Sequence, residues 1–334
     1  MFANSGADPR PQSLGPSRGS SSYRPWRHRL ALLTVGATLC LIFAGGLVTS
    51  TGSALAVPDW PLSYGMLMPP MVGGIFYEHG HRMVASGVGL LTLVLAVWTG
   101  LDEPRRGVRR LAWTSLGAVV AQGVLGGITV LYLLPTAVSV AHACLAQTFF
   151  CITIALAYAM SREWQAAPEP RVDNAGVRTA ALIATGVVWL QLLIGAVMRH
   201  MGAGLAIPDF PLAFGRLLPR FESAAIAVHF AHRLGALAVL AFVGRLWLTA
   251  RRSGAPLFQR PANVALGLTF LQIALGATTV LTAKAVAPTT LHVTTGAAIL
   301  GTCWFTTLRA YRHTRPTAFP GKAAAVVANA ASAA

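Results

Sequence analysis

The sequence predicts an all-α integral membrane protein, with eight transmembrane helices arranged as two tandem, parallel-related four-helix bundles. Three observations carry this. Of 334 residues, 54% are hydrophobic and 11% charged. Apolar stretches near the roughly 20 residues that a helix needs to cross a bilayer recur along the whole chain. Finally, Gly52-Ser53-Ala54-Leu55-Ala56-Val57-Pro58-Asp59-Trp60-Pro61-Leu62 returns 150 residues later as Gly202-Ala203-Gly204-Leu205-Ala206-Ile207-Pro208-Asp209-Phe210-Pro211-Leu212.

In chain order, residues 1–29 are rich in Ser, Pro, Gly and Arg and cannot bury a core, so they read as a disordered cytoplasmic tail. Hydropathy then predicts spans at 30–50, 78–100, 111–133 and 136–160, which form an N-terminal half over 30–160. A cytoplasmic linker occupies 161–177. Spans at 178–200, 224–248, 263–282 and 289–311 make a C-terminal half over 178–311, followed by an Ala-rich disordered tail over 312–334. Each half holds an even number of spans, so the copies keep one orientation and are related by an axis near the membrane normal. Within the repeat, Gln122-x-x-Leu125-Gly126-x-x-Thr129-Val130-Leu131 is answered by Gln272-x-x-Leu275-Gly276-x-x-Thr279-Val280-Leu281, with a further echo at Gln191-x-x-x-Gly195.

The net charge of +16 does not point to nucleic acid, because of where it falls. Arg24, Arg27 and Arg29 precede the first span, Arg105, Arg106, Arg109 and Arg110 follow the second, and Arg251, Arg252 and Arg260 follow the sixth. The positive-inside rule puts these clusters and both termini in the cytoplasm, and both Pro-Asp-aromatic-Pro loops outside. The tail favours a bacterial cytoplasmic membrane over a mitochondrial one. Arg199, Arg216 and Arg220 lie near the second outer loop, where they can meet a local anionic partner. Cys40, Cys144, Cys151 and Cys303 all fall within predicted spans and read as small buried side chains.

The histidines carry the chemistry. His28 and His313 read as solvent-facing tail residues, His200 as interfacial, and His79 and His229 as residues of the outer turns. His81, His142, His232 and His292 remain, each a few residues inside the outer end of an even-numbered span. At about 1.5 Å rise per residue they share one depth. An imidazole at that depth is costly without a partner, and two equivalent pairs on facing helices fit six-coordinate heme iron. Interhelical hydrogen bonding is the plain alternative.

Glu78 breaks the symmetry. It stands one turn before His81 on the same helix face, where the second half has His229. Beside a cofactor its carboxylate can take a proton; equally, it can cap a helix N-terminus and pair with Arg82. Arg82 and Arg233 can hold heme propionates or fasten the outer loops through Asp59 and Asp209. The prolines of those loops exclude long helix, and Trp60 and Phe210 read as interfacial lids.

The ordered set of Glu78-x-x-His81-Arg82, His142, His232-Arg233 and His292 on eight spans, with the Gln-x-x-Leu-Gly pattern and the Pro-Asp loops, resembles the heme A synthase family over residues 30–311. The resemblance implies an oxidoreductase of cytochrome oxidase assembly that converts a methyl group of heme O to a formyl group through hydroxylated intermediates. It implies that His232 and His292 hold a resident heme B, that His81 and His142 hold the iron of the substrate heme O, and that Glu78 is catalytic. Membrane lipid, heme O synthase, cytochrome oxidase assembly proteins and an electron acceptor not named by the sequence are the implied partners, with a homo-oligomer left open. Many bacterial members carry a cysteine pair in the first outer loop, whereas residues 51 to 77 contain none. A bis-histidine diheme cytochrome that only transfers electrons is the competing reading.

Overall fold

The computed structural model describes residues 23–166 and 175–314, and the two tail expectations lie largely outside them. The architecture is helical: α1 (Pro25–Ser50), α2 (Gly73–Asp102), α3 (Arg106–Leu131), α4 (Thr136–Ala159), a short α5 (Arg162–Ala166), α6 (Ala175–His200), α7 (Ala224–Arg252), α8 (Pro256–Leu281) and α9 (Val286–His313). Among the described residues there is no strand, only isolated bridges between Ser63 and Met66 and between Ala213 and Arg216. Among the described residues seven helices, namely α1, α2, α3, α4, α6, α7 and α8, are long and apolar enough to cross a membrane.

The helices overrun the predicted spans mainly at the ends remote from the Pro-Asp loops. Pro25–Arg29 belong to α1 rather than to a tail, the predicted linker contains α5 and the start of α6, and α9 continues to His313. Ion pairs explain these extensions, since hydropathy alone ends a span at its first charges. The nearly inaccessible Arg27 donates to Glu103 at 2.5 Å, Arg105 reaches the same carboxylate at 2.6 Å, and Arg24 meets Asp102 at 2.9 Å. The second such cluster centres on Glu163 of α5, bonded by Arg309, by the Tyr158 hydroxyl at 3.0 Å and by His313 at 3.2 Å. His313 is therefore buried against a carboxylate, not solvent-facing. Burial raises the carboxyls of Glu103 and Glu163, but their arginine hydrogen bonds and ion pairs outweigh it and hold both below the ordinary value.

Neighbouring helices pack in two rounds. α1 packs on α2, α2 on α3, α3 on α4 and α4 on α1; α6, α7, α8 and α9 do the same among themselves. α9 also meets α1 and α4, and α6 meets α4. This position accounts for the composition of α9, which is the long helix without a strongly apolar window. It presents Thr290, Thr295, Thr306 and Thr307 to helices rather than to lipid. The hydroxyls of Thr302, Thr306 and Thr307 donate to carbonyls one turn back at 2.7–2.9 Å, so these three are satisfied within the helix. Close-packed apolar cores, with Leu95, Ala112 and Leu156 in the first round and Ala184, Val243, Phe258 and Leu300 in the second, lie toward the arginine-rich ends. His81, His142, His232 and His292 sit at the opposite ends.

Candidate functional site

Each Pro-Asp loop is built on its own aspartate. Asp59 accepts from the backbone N–H of Tyr64 at 2.7 Å and Gly65 at 2.8 Å, and Asp209 from Phe214 and Gly215, both at 2.8 Å. The N–H donors of Gly65 and Gly215 head the causes that pull both carboxyls below the usual range. Gly65 and Gly215 occupy the left-handed region, at φ 68° and 72°, which a residue without Cβ enters freely. The Trp60–Pro61 and Phe210–Pro211 peptides are cis.

Arg82 and Arg233 fasten these loops, though not through the aspartate carboxylates. Arg82 donates to the carbonyls of Asp59 at 2.8 Å and Leu62 at 2.9 Å; Arg233 donates to those of Asp209 at 2.6 Å, Leu212 at 2.7 Å and Ile207 at 3.1 Å. Their guanidinium donors are largely committed to main chain. Glu78, 4% exposed, pairs with Arg82 at 2.7 Å and accepts the Val57 N–H at 2.9 Å. Its counterpart His229 accepts the Ile207 N–H at 3.2 Å. Thus Glu78 and His229 share one structural task, holding the loop, and only Glu78 brings an acid to it.

The four histidines have a common construction. Each ring lies against a glycine of the preceding long helix in the chain: His81 on Gly45, His142 on Gly126, His232 on Gly195 and His292 on Gly276. A Cβ on these glycines would fall 3.2, 3.2, 2.9 and 3.0 Å from the imidazole Cε1. The sequence pattern singled out three of these glycines; Gly45 was missed because Leu41, one turn earlier, replaces the glutamine that marks the others.

Glutamines supply the next contacts. The Gln191 amide nitrogen meets His232 Nδ1 at 3.1 Å and the His232 carbonyl at 2.7 Å. The Gln122 amide nitrogen meets His142 Nε2 at 3.2 Å and its carbonyl at 3.0 Å. His292 Nδ1 contacts the main-chain oxygen of Gln272 at 3.1 Å. The rings of His232 and His292 stand 6.2 Å apart between centroids, with planes inclined by 62°.

The second pair fits opposed ligation of one metal ion. An imidazole nitrogen sits about 2 Å from a divalent first-row metal and about 1.1 Å from its own ring centre, so two facing ligands have centroids about 6 Å apart. Both Nδ1 atoms are engaged, leaving Nε2 for the metal. The buried Oε1 atoms of Gln122, Gln191 and Gln272 lack a partner; with its amide turned over, Gln191 would accept the Nδ1–H of a metal-bound His232.

Two further residues complete the site region. The Trp60 indole lies against Gly127, next to the His142 seat, so closely that a Cβ there would come within 2.6 Å. In the other half Phe210 and Ala277 occupy these positions, a smaller ring facing a larger residue. Arg199 donates to the Gly46 carbonyl at 3.3 Å and the Ser50 hydroxyl at 3.1 Å, and among the described residues it pairs with no carboxylate.

Fold and site together define a polytopic helical membrane protein with a duplicated pair of glycine-seated imidazoles beneath arginine-fastened loops. The family COX15-CtaA, cytochrome oxidase assembly protein, matches residues 73–304. Similar proteins include a heme A synthase of Symbiobacterium thermophilum, 33% identical over 256 residues that cover 74% of this chain and 83% of that protein. Heme A synthases of Shouchella clausii (28% over 268 residues; 77% and 87% covered) and an Exiguobacterium strain (28% over 291 residues; 84% and 92% covered) are also similar. The chain belongs to the COX15-CtaA family.

Proposed function

We propose that the protein is a heme A synthase, an oxidoreductase that converts heme O to heme A for cytochrome oxidase assembly. The observation that carries this reading is the glycine-seated, Nδ1-engaged pair His232–His292 at a spacing suited to one iron atom, recurring in sequence as His81 and His142, in a chain that aligns over most of its length with proteins named heme A synthase. In this reading α9 is an eighth span, the two rounds of helices are parallel-related halves over 30–160 and 178–311, and both termini face the cytoplasm of a bacterial inner membrane. The two packing rounds and the arginine clusters at one set of helix ends support it.

His232 and His292 would hold a resident heme B. His81 and His142 would hold the substrate heme O, in the half that owns the acid. When bound, the iron supplies the oxidising chemistry that takes a porphyrin methyl to a formyl group. Glu78, fixed by Val57 N–H and Arg82, receives a proton at Oε1 or Oε2, and Arg82 stabilises the carboxylate before that transfer. Trp60 on Gly127 keeps water from the loop side of this half. Arg199, which pairs with no carboxylate among the described residues, would meet a porphyrin carboxylate, since Arg82 and Arg233 are engaged by loop carbonyls.

The test is pigment analysis after expression with a heme O supply. Heme A or its hydroxylated precursor beside heme B is expected, and Glu78→Gln should keep both hemes while turnover falls. Two equivalents of heme B with no oxidised product, heme O being present in the membrane, would leave an electron-transfer cytochrome instead.

A further inference from the structure

The repeat is broken at one contact that decides how firmly a ligand is held. On α3, α6 and α8 a glutamine stands one turn before the seating glycine; on α1 the same place is Leu41, four residues before Gly45. Leu41 is the repeat equivalent of Gln191. A second difference accompanies it. The Gln191 side chain needs Gly235 of α7, where a Cβ would fall 1.9 Å from Oε1. Counting from the aligned histidines, the α2 equivalent of Gly235 is Val84. The second half therefore has the pair Gln191 and Gly235, and the first half has Leu41 and Val84. The glycine seat survives in both. The polar grip does not: Nδ1 of His81 and of His142 are both buried without a hydrogen-bond partner, but His142 is held by Gln122 at Nε2 and His81 has no such contact.

A hydrogen bond to the distal nitrogen of a ligating imidazole fixes ring orientation and raises ligand basicity, and its loss commonly costs about 10–100-fold in metal affinity. We propose that Gln191 and Leu41 act as positioning residues that set which heme stays and which exchanges: Gln191 locks His232 onto a resident heme, and Leu41 leaves His81 a loosely oriented ligand from which a heme can depart. The inference rests on the assignment of the substrate to the first half. Substrate must enter and product leave at each turnover, so one weakly restrained ligand beside the Gln122-held His142 suits that half. The resident group has no such need, and both of its imidazoles are held.

The experiment follows heme release from protein in lipid nanodiscs, loaded at both pairs, to excess apomyoglobin. Two phases are expected, and His142→Ala should abolish the fast one. Gln191→Leu should accelerate the slow phase by about 10–100-fold, while Gln191→Glu, which would offer a carboxylate oxygen to the Nδ1–H of a ligating ring, should leave it slow. The paired exchange Leu41→Gln with Val84→Gly should retard the fast phase by a similar factor. If His142→Ala removes the fast phase but Gln191→Leu and the paired exchange leave both rates unchanged, the positioning role is overturned and the assignment of the halves stands. If His142→Ala instead removes the slow phase, the assignment itself fails and the inference with it. Should the paired exchange not accumulate in the membrane, Gln191→Leu decides alone, an unchanged slow phase overturning the proposal.

Discussion

Gly195→Ala is the sharpest probe of the His232–His292 pair, because its consequence can be worked from distances. The added Cβ falls 2.9 Å from Cε1 and 3.3 Å from Nδ1 of His232, whereas ordinary contact begins at 3.4 Å. The ring must withdraw by about 0.5 Å, and overpacking of this kind typically costs about 1–3 kcal/mol. It cannot withdraw freely, since Gln191 holds the Nδ1 edge and Gly235 already confines Gln191. The displacement therefore appears as misaligned ligation, equivalent to about 5- to 150-fold in heme affinity at 1.4 kcal/mol per tenfold. Heme content per purified protein and the midpoint potential of the bound heme measure it. Gly276→Ala, 3.0 Å from His292 Cε1, should act similarly. Gly186→Ala on the same α6 meets nothing within 4 Å and serves as the comparison. Wild-type heme content and potential in Gly195→Ala would falsify the wedge argument.

Three other outcomes are expected. Arg233→Met leaves the carbonyls of Ile207, Asp209 and Leu212 without their donor, so limited proteolysis should cut the 201–223 loop faster than in wild type; an unchanged rate would mean the loop is held by its aspartate turn alone. Gly127→Ala drives a methyl into Trp60, and the lid should lift, read as a red shift and stronger quenching of tryptophan fluorescence, while Ala277→Gly should do little. For pH, the folded-state carboxyls of Glu103 and Glu163 lie below their ordinary value, so their stabilisation is complete above about 4.3 and is lost as pH falls through the folded value. Thermal unfolding of wild type and Glu163→Gln should accordingly differ at neutral pH and converge on acidification below that point; a constant gap down to pH 3 would exclude the linkage.

What the sequence determined by itself is what periodicity and repetition record. Apolar runs of bilayer length specify the helices, and the return of Gly52–Leu62 at Gly202–Leu212 specifies the duplication. Four histidines at matching depth mark the candidate site without any coordinate. α9 was also legible as a helix, although its threonines lower its hydropathy. Partnership was not legible. Whether Arg82 meets Asp59 through a carboxylate or a carbonyl depends on how a loop folds back over 23 residues of chain. That Glu78 and His229 do the same work, although one is an acid and the other an imidazole, emerges only when Val57 and Ile207 are seen to offer them the same N–H. His313 looked like a tail residue until α5 brought Glu163 to it. Composition and spacing report which groups are present and at what depth. The direction of a side chain, and the donor or acceptor it finds, are set by packing between segments far apart in the chain, and that packing decided which arginines serve the loops and which histidine is left ungripped.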